Sequence, residues 1–541
     1  MHSRLSHLSF ALAAAVIAAI FIGPPASADT APPSSSTPKT VAADALPTPQ
    51  INGVVWTQLI VGTTVYVGGE FTRARPAGSA PGANEVTRNN MLAYNLTTGA
   101  LTSFNPNMNA AVRGLVASAD GTRVYAGGSF TSVGGVKRYR LAAFTTATGG
   151  LVSTWAPVVN AAVKAVGISG GTVFAGGTFT VANGQSRPRI ASFATSNGAV
   201  LGWKGNPSGG SVSALTVSPD GTKVVIGGSF TSYNGGTNPG YGMAATSAST
   251  GASLAWKVNG LIRNAGTNGA ILSLTSSSSG VFGAGYDFGS GAMFEGTFRA
   301  SWADGTLIWL EDCHGDTYSA VPVNDVVYTT AHAHYCGNIG GFGETSPRSY
   351  HRTLTFTMAA TGVVARNTVG NYYNFAGQPR PTLLAWYPDI NTGTYTGQGQ
   401  GPWNVAANSQ YVLYGGEFTY VNNKRQQGLV RFAVSAIAPD KEGPRLQGSS
   451  FLPTLSSPSA GTVRVSWTSN YDRDNEKLTY QVQRDGVTVK TLTGLSVDWK
   501  RPTLTWTETG LTRGKTYTYR LKVTDPFGNV RTGNSVSVKV S

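Results

Sequence analysis

The residues best suited to chemistry collect between positions 311 and 351. Glu311-Asp312-Cys313-His314-Gly315-Asp316 is followed by His332-Ala333-His334-Tyr335-Cys336 and then by His351. Beyond the first few residues the chain has no other histidine. His332 and His334, two apart on an extended segment, project to one side. Imidazoles with a carboxylate suit zinc. His314, Asp316, His332 and His334 are therefore a candidate divalent-metal set, with zinc as the ion implied, although their spacing matches no standard motif. Cys313 and Cys336 are the only cysteines, and in an exported chain such a pair is expected as a disulfide.

Two further groups could bind. Lys137, Arg138 and Arg140, then Arg187 and Arg189, then Lys424 and Arg425, stand at equivalent places in an internal repeat, joined by Arg73 and Arg75. Brought to one face they would make a positive arc for an anionic polymer. The alternative is that the arginines next to each LAxF-like strand serve the packing of the repeat itself. Tyr387, Tyr395 and Trp403, with Gln398 and Gln400, could form an aromatic platform for sugars, or be glycine-rich loop filler. Glu70 and Glu417 occupy matching positions, so a carboxylate pair is conceivable. No GxSxG elbow, HExxH helix or phosphate loop is present. Basic residues without interleaved aromatics argue against nucleic acid.

The elements that must position these residues announce themselves by repetition. GGEFT at Gly68–Thr72 returns as GGSFT at Gly127–Thr131, GGTFT at Gly176–Thr180, GGSFT at Gly227–Thr231 and GGEFT at Gly415–Thr419. A period of about fifty residues, carried by β-formers, implies a radial or stacked β array. Each unit reads as four strands. The first resembles VRGLVAS at Val112–Ser118, the second carries the glycine phrase, the third resembles LAAF at Leu141–Phe144, and the fourth ends in an aromatic such as Trp155. The first three occur seven times and the fourth six. That count implies a seven-bladed β-propeller, with the missing strand supplied by residues 44–50 or by 433–439. VVYTTAHAH at Val326–His334 is a decayed second strand, so the histidines lie where the repeat is broken. Asp120-Gly121 and Asp220-Gly221 fit tight hairpins. The double glycine is expected to mark a bulge or the close approach of a neighbouring sheet. Alternating hairpins place the long loops on one face, which is where function is expected.

The pattern of a DGT turn, VYxGGxFT, an Arg-rich loop, LAxF and a TG turn resembles the delta-60 type β-propeller repeats of secreted bacterial proteins, over roughly residues 44–440. That resemblance implies the fold and no particular activity. Residues 446–541 resemble a fibronectin type III domain: Trp467 in VRVSW, Tyr480, and Leu511, Gly514 and Tyr517 at the spacing of a tyrosine corner.

Residues 1–28 read as a secretory signal peptide, with Arg4, the apolar run Leu8–Ile22 and a small-residue cleavage site. Residues 29–43 read as a Pro/Ser/Thr linker. The chain of 541 residues carries Lys+Arg 40 against Asp+Glu 25, a net charge of +15. Together these features lead to the expectation of a secreted, extracellular, monomeric binding protein for a glycan, an anionic wall polymer or a surface protein. The alternative is a secreted glycoside hydrolase or an accessory to one.

Overall fold

The computed structural model describes residues 30–32, 37–288 and 293–541. The leader expected over residues 1–28 lies outside the described residues. The fold is all-β and propeller-like. Seven sheets each pair a first strand with a second and the second with a third, all antiparallel. In chain order the first strands are Val54–Val61, Val112–Ala117, Val163–Ser169, Val212–Val217, Gly269–Ser277, Thr317–Val323 and Pro402–Ala407. They lie side by side, and the last returns against the first. A fourth strand is full in the fifth sheet, at Leu307–Glu311, and elsewhere shrinks to short pairings such as Phe144 with Leu151. Among the described residues no helix is long and apolar enough to cross a membrane.

The double glycine does two separate jobs. A Cβ on Gly127 would come within 2.6 Å of Val163 Cγ1, on the first strand of the next sheet. A Cβ on Gly128 would lie 2.2 Å from the Ala111 carbonyl oxygen, in the segment leading into its own partner strand. The first glycine thus admits the neighbouring sheet. The second admits a β-bulge, seen as the register shift between Val112 and Gly114 opposite Gly128 and Gly127. Gly128→Ala should cost about 1–3 kcal/mol through this backbone clash. A lowered midpoint in urea unfolding would report it, and an unchanged midpoint would mean that the bulge tolerates a side chain.

The phenylalanine of each phrase is buried between sheets. Phe130, Phe179 and Phe230 belong to cores that draw residues from two consecutive sheets. The terminal aromatics of the fourth position do the same: Trp155 meets Tyr125 at 4.9 Å and donates to the Ala194 carbonyl of the next sheet.

The last sheet is completed from the other end of the chain. Leu46 pairs antiparallel with Arg431, and Ala42 N–H donates to the Ala433 carbonyl. Leu46, within residues 44–50, therefore takes the outer place beside Arg431, while Gln50 pairs with Arg75 in another sheet. The expected linker is shorter than composition suggested. Val41, Ala42 and Ala43 are buried, and the Val41 amide donates to the Tyr328 hydroxyl. Three small apolar residues are enough to anchor a segment whose Pro/Ser/Thr content reads as a tether.

Two further sheets over residues 454–539 enclose a core around Trp467, Tyr480, Tyr519 and Leu521. In Thr516–Thr524 the residues Tyr517, Tyr519, Leu521 and Val523 are buried and the others are not, the period-two signature of a strand with one covered face. The Tyr517 hydroxyl accepts from the Thr512 amide at 3.3 Å, tying the crossing loop.

Candidate functional site: a bulge-lined mouth and its side cavity

Each bulge leaves one residue of a first strand unpaired and re-aims its side chain. These residues are Trp56, Arg113, Lys164, Ser213, Leu272, Tyr318 and Trp403, one per sheet. All seven line one open cavity of about 750 Å³ along the axis of the array. Four make a continuous arc. The Arg113 guanidinium lies 4.3 Å over the Trp56 ring, Trp56 and Trp403 centroids are 5.2 Å apart, and Trp403 and Tyr318 are 4.4 Å apart. Lys164 continues the cationic side and donates to the Ser211 hydroxyl at 3.0 Å. Burial pushes the Arg113 and Lys164 pKa values down, and for Lys164 the positive charge of Arg113 adds to it.

A second cavity, of about 310 Å³, shares Asp316 and Phe288 with the first. Glu295, Asp316, His332, His334, Arg348 and Tyr372 are among the residues around it. Burial raises the Glu295 carboxyl to about 8. The Gly315 amide, donating to Glu295 Oε2 at 2.6 Å, opposes that rise, and the negative charges of Asp316, Asp312 and Asp287 reinforce it. Asp316 is raised to about 6 by burial, opposed by a hydrogen bond from the Tyr318 hydroxyl at 3.3 Å. That hydroxyl also lies 2.7 Å from His332 Nδ1, which stands 3.1 Å from Gln400 Oε1. Burial lowers His332 to about 4, so its ring is neutral at neutral pH. One cavity thus holds a protonated carboxyl beside an ionised one, with Tyr318 linking it to the aromatic arc. Two carboxyls whose pKa values are pushed apart can divide the roles of acid and base.

The structure corrects several sequence expectations. Cys313 and Cys336 are joined as a disulfide. Among the described residues the four candidate metal ligands, however, are not gathered on one point; His314 and His334 go to Tyr372, and Asp316 and His332 to Tyr318. His314 is fully buried, stacked 3.9 Å from the Tyr372 ring, with Nε2 at 3.5 Å from Asp312 Oδ2. His334 Nε2 meets the Tyr372 hydroxyl at 3.2 Å, and its Nδ1 lies 3.6 Å from Glu344. Asp316 and His332 remain in the cavity as an acid–base pair bridged by Tyr318. His351 stacks on Phe342 at 3.8 Å.

The basic arc is largely structural. Arg138 is buried and donates to the Lys137 and Ser153 carbonyls. Arg140 and Arg189 have left-handed backbones, with φ of 73° and 63°, and their guanidinium groups donate to the Ser129, Gly210 and Pro207 carbonyls. Arg187 donates to Ser186 and Leu201 carbonyls and to Gln185. Lys137, Lys424 and Arg425 are exposed; Lys424 faces Glu442 at 3.4 Å, and Arg425 lies over Tyr420.

Of the three candidate aromatics, Trp403 is in the arc and Tyr395 is exposed on the loop before it. Tyr387 is buried against the C-terminal unit, with its hydroxyl on the Asp472 carbonyl, and cannot serve a ligand. Glu417 is also not a reactive carboxylate. Its oxygens accept from Thr396 and from Trp403 Nε1 at 2.9 Å, so it fixes the indole.

Sequence reading missed Glu295, Tyr372 and most of the bulge ring. Glu295 sits just before a third strand, where the repeat has no conserved-looking phrase to compare. Tyr372 comes from the long connection between Thr357 and Leu383, which carries no repeated phrase. Its Ala365 amide donates to the Asn338 carbonyl and draws the segment back to the disulfide loop. The ring was within reach in five sheets, where it is the residue opposite the glycine phrase; in the fifth and sixth sheets that phrase has decayed.

No family model matches the chain. Over 103 residues, 19% of the chain, it is 37% identical to Chitinase 63 of Streptomyces plicatus. The chain covers 15% of that enzyme's length, so the likeness concerns a small part of both proteins. Among solved structures it is similar to the β-propeller domain of Myceliophteria thermophila Cps50 (Swd1), with a TM-score of 0.41 and 10% sequence identity, covering 72% of this chain and 99% of that one.

Proposed function

We propose that this is an exported, glycan-active enzyme: a seven-bladed β-propeller of the delta-60 repeat type followed by a fibronectin type III-like module. The leader-like residues 1–28 support export. The observation that carries the activity is the pairing of Glu295 with Asp316 in a cavity that opens into the aromatic and cationic mouth. Buried carboxyls without a basic partner are costly, and such perturbed groups in a cleft mark functional sites. Glu295 acts as general acid on the leaving oxygen of a glycosidic bond, and Asp316 as the base or nucleophile. Trp56, Trp403 and Tyr318 offer sugar-stacking faces, while Arg113 and Lys164 select chains that carry acidic groups.

The test is release of new reducing ends from polygalacturonate, alginate and hyaluronan, with chitin as a neutral control. Activity should rise as Asp316 ionises through about pH 6 and fall as Glu295 ionises through about pH 8. No reducing ends from any acidic polymer across that range would sink the enzymatic reading. A second reading, binding without turnover, is favoured by the cationic arc itself. It predicts that the same polymers bind and are recovered intact, and that Arg113→Ala weakens them.

A further inference from the structure

The mouth and its side cavity are charged in opposite senses. Three acids, Asp287, Glu295 and Asp316, line the side cavity. Glu295 and Asp316 are both 7% exposed, and Asp316 Oδ1 is buried without a hydrogen-bond partner. His332 and His334 add no positive charge at neutral pH, because burial lowers both to about 4. Arg348 also stands on that wall, but its guanidinium is taken by Glu344. A sugar carboxylate brought here would face Asp316 and Asp287 with no unpaired cation among the described lining residues to offset them. A neutral sugar instead brings hydroxyls that can donate to the same oxygens, Asp316 Oδ1 included.

The mouth is the reverse. Arg113 and Lys164 face it from the second and third sheets, each half-buried. Among the described residues neither has an acidic partner. Between these cations and the acids runs the aromatic arc. It starts where the Tyr318 hydroxyl meets Asp316 at 3.3 Å. From the Tyr318 ring it steps to Trp403, to Trp56 and to the Arg113 guanidinium, by 4.4, 5.2 and 4.3 Å. The ring planes tilt by 51° and 54° from one to the next, so the track is curved rather than flat. The other way round the mouth, Leu272 and Ser213 offer no aromatic face. Phe288, 64% exposed, lines both cavities and leaves an open ring where a chain would pass from one to the other. A pyranose covers about one aromatic ring, so three steps set the cations about three sugars away from the acids.

Resting on the glycan-active reading above, we propose that the substrate is a chain of mixed charge. A neutral sugar enters the side cavity and has its bond cut, while an acidic sugar about three residues along is held by Arg113 and Lys164. Uniform chains fit badly in either direction. A polyuronate forces a carboxylate against Asp316, and a neutral chain leaves both cations unpaired. Water is the one co-reactant. Its oxygen ends on the anomeric carbon with one proton, and its other proton restores Glu295, which gave its own to the leaving oxygen.

The experiment compares oligosaccharides of equal length from hyaluronan, polygalacturonate and chitin. In hyaluronan a neutral amino sugar alternates with a uronate; in the other two every sugar is acidic or every sugar is neutral. Calorimetry on the whole chain carrying Glu295→Gln should find hyaluronan bound about tenfold more tightly than either uniform chain. Arg113→Gln, added to it, should remove the advantage over chitin and leave chitin binding as it was. Should that variant fail to fold, Lys164→Gln reads the same wall, and the three-way comparison needs neither. In turnover by the unaltered protein, mass spectrometry should find the neutral sugar at every new reducing end, and Arg113→Gln should raise KM about tenfold with kcat little changed. Polygalacturonate bound as tightly as hyaluronan, or a uronate at the new reducing ends, would overturn the proposal. The two readings fail separately. Turnover without preference among the three chains keeps an enzyme and removes the charge map, whereas the expected binding order without turnover supports the charge map and removes the enzyme.

Discussion

Replacing Glu295 by Gln is expected to lower the proposed glycan turnover about a thousandfold, the usual worth of a positioned general acid, while leaving the fold intact. The side chain keeps its shape and its acceptor for the Gly315 amide, but can no longer give up a proton. The stability readout separates this from a structural role. Glu295 titrates at about 8 in the folded protein, against about 4.5 unfolded. The folded state therefore holds its proton more tightly, and the stability this lends is complete below the unfolded value. It is lost as pH rises through about 8. In the Gln variant that part of the decline should vanish, so its urea midpoint at pH 8 should equal or exceed that of the parent. A variant with unaltered turnover, or one that unfolds earlier at every pH, would make Glu295 a packing residue.

Replacing Arg431 by Met should produce the largest loss of stability, about 2–4 kcal/mol. The guanidinium is 1% exposed and has no acidic partner among the described residues. It donates instead to the carbonyls of Leu96 and Pro47 and to the Thr48 hydroxyl. It thereby joins the last sheet to the N-terminal segment and to the first sheet's outer turn. Gly99 has no room for a side chain because Arg431 Nη2 would lie 2.6 Å from its Cβ. Methionine fills the slot but leaves buried carbonyls without donors. Lysine keeps a charge but cannot reach three acceptors at once, so Arg431→Lys should recover little. The urea midpoint measures the loss, and accelerated proteolysis at residues 40–50 shows where it acts. Equal midpoints for all three proteins would show that closure rests on the strand pairing of Leu46 alone.

How far the chain could be read in advance depended on whether a feature repeats. The glycine phrase, the LAxF strands and the buried tryptophans recur, so comparison within the sequence located seven sheets and their turns. Cys313 and Cys336 were legible because they are alone. The site was legible only in part. Asp316, His332 and Trp403 were singled out, but as metal ligands and loop aromatics rather than as an acid–base chain and a mouth. Glu295 and Tyr372 stand in irregular segments, where no second copy shows what is unusual. Arg138, Arg140, Arg187 and Arg189 stayed open between a binding arc and packing of the repeat for the opposite reason. Their recurrence looked like a binding arc, and it is the repeat satisfying its own carbonyls. Tyr387 misled because a surface of the array is covered by the following unit, which no local pattern reveals.

The pairing of Leu46 with Arg431 also sets an order of events. The first part of the array to be synthesised has its last hydrogen-bond partner 384 residues later, counting from Pro47 to Arg431. Until that strand emerges, the circle of sheets cannot shut, and its two terminal sheets expose unpaired edges. Pairings this distant are slow to form, and the segments waiting for them are prone to stray association. Arg431 arrives so late that the outer segment stays loose until the whole array has been made, and only then is the locked form reached.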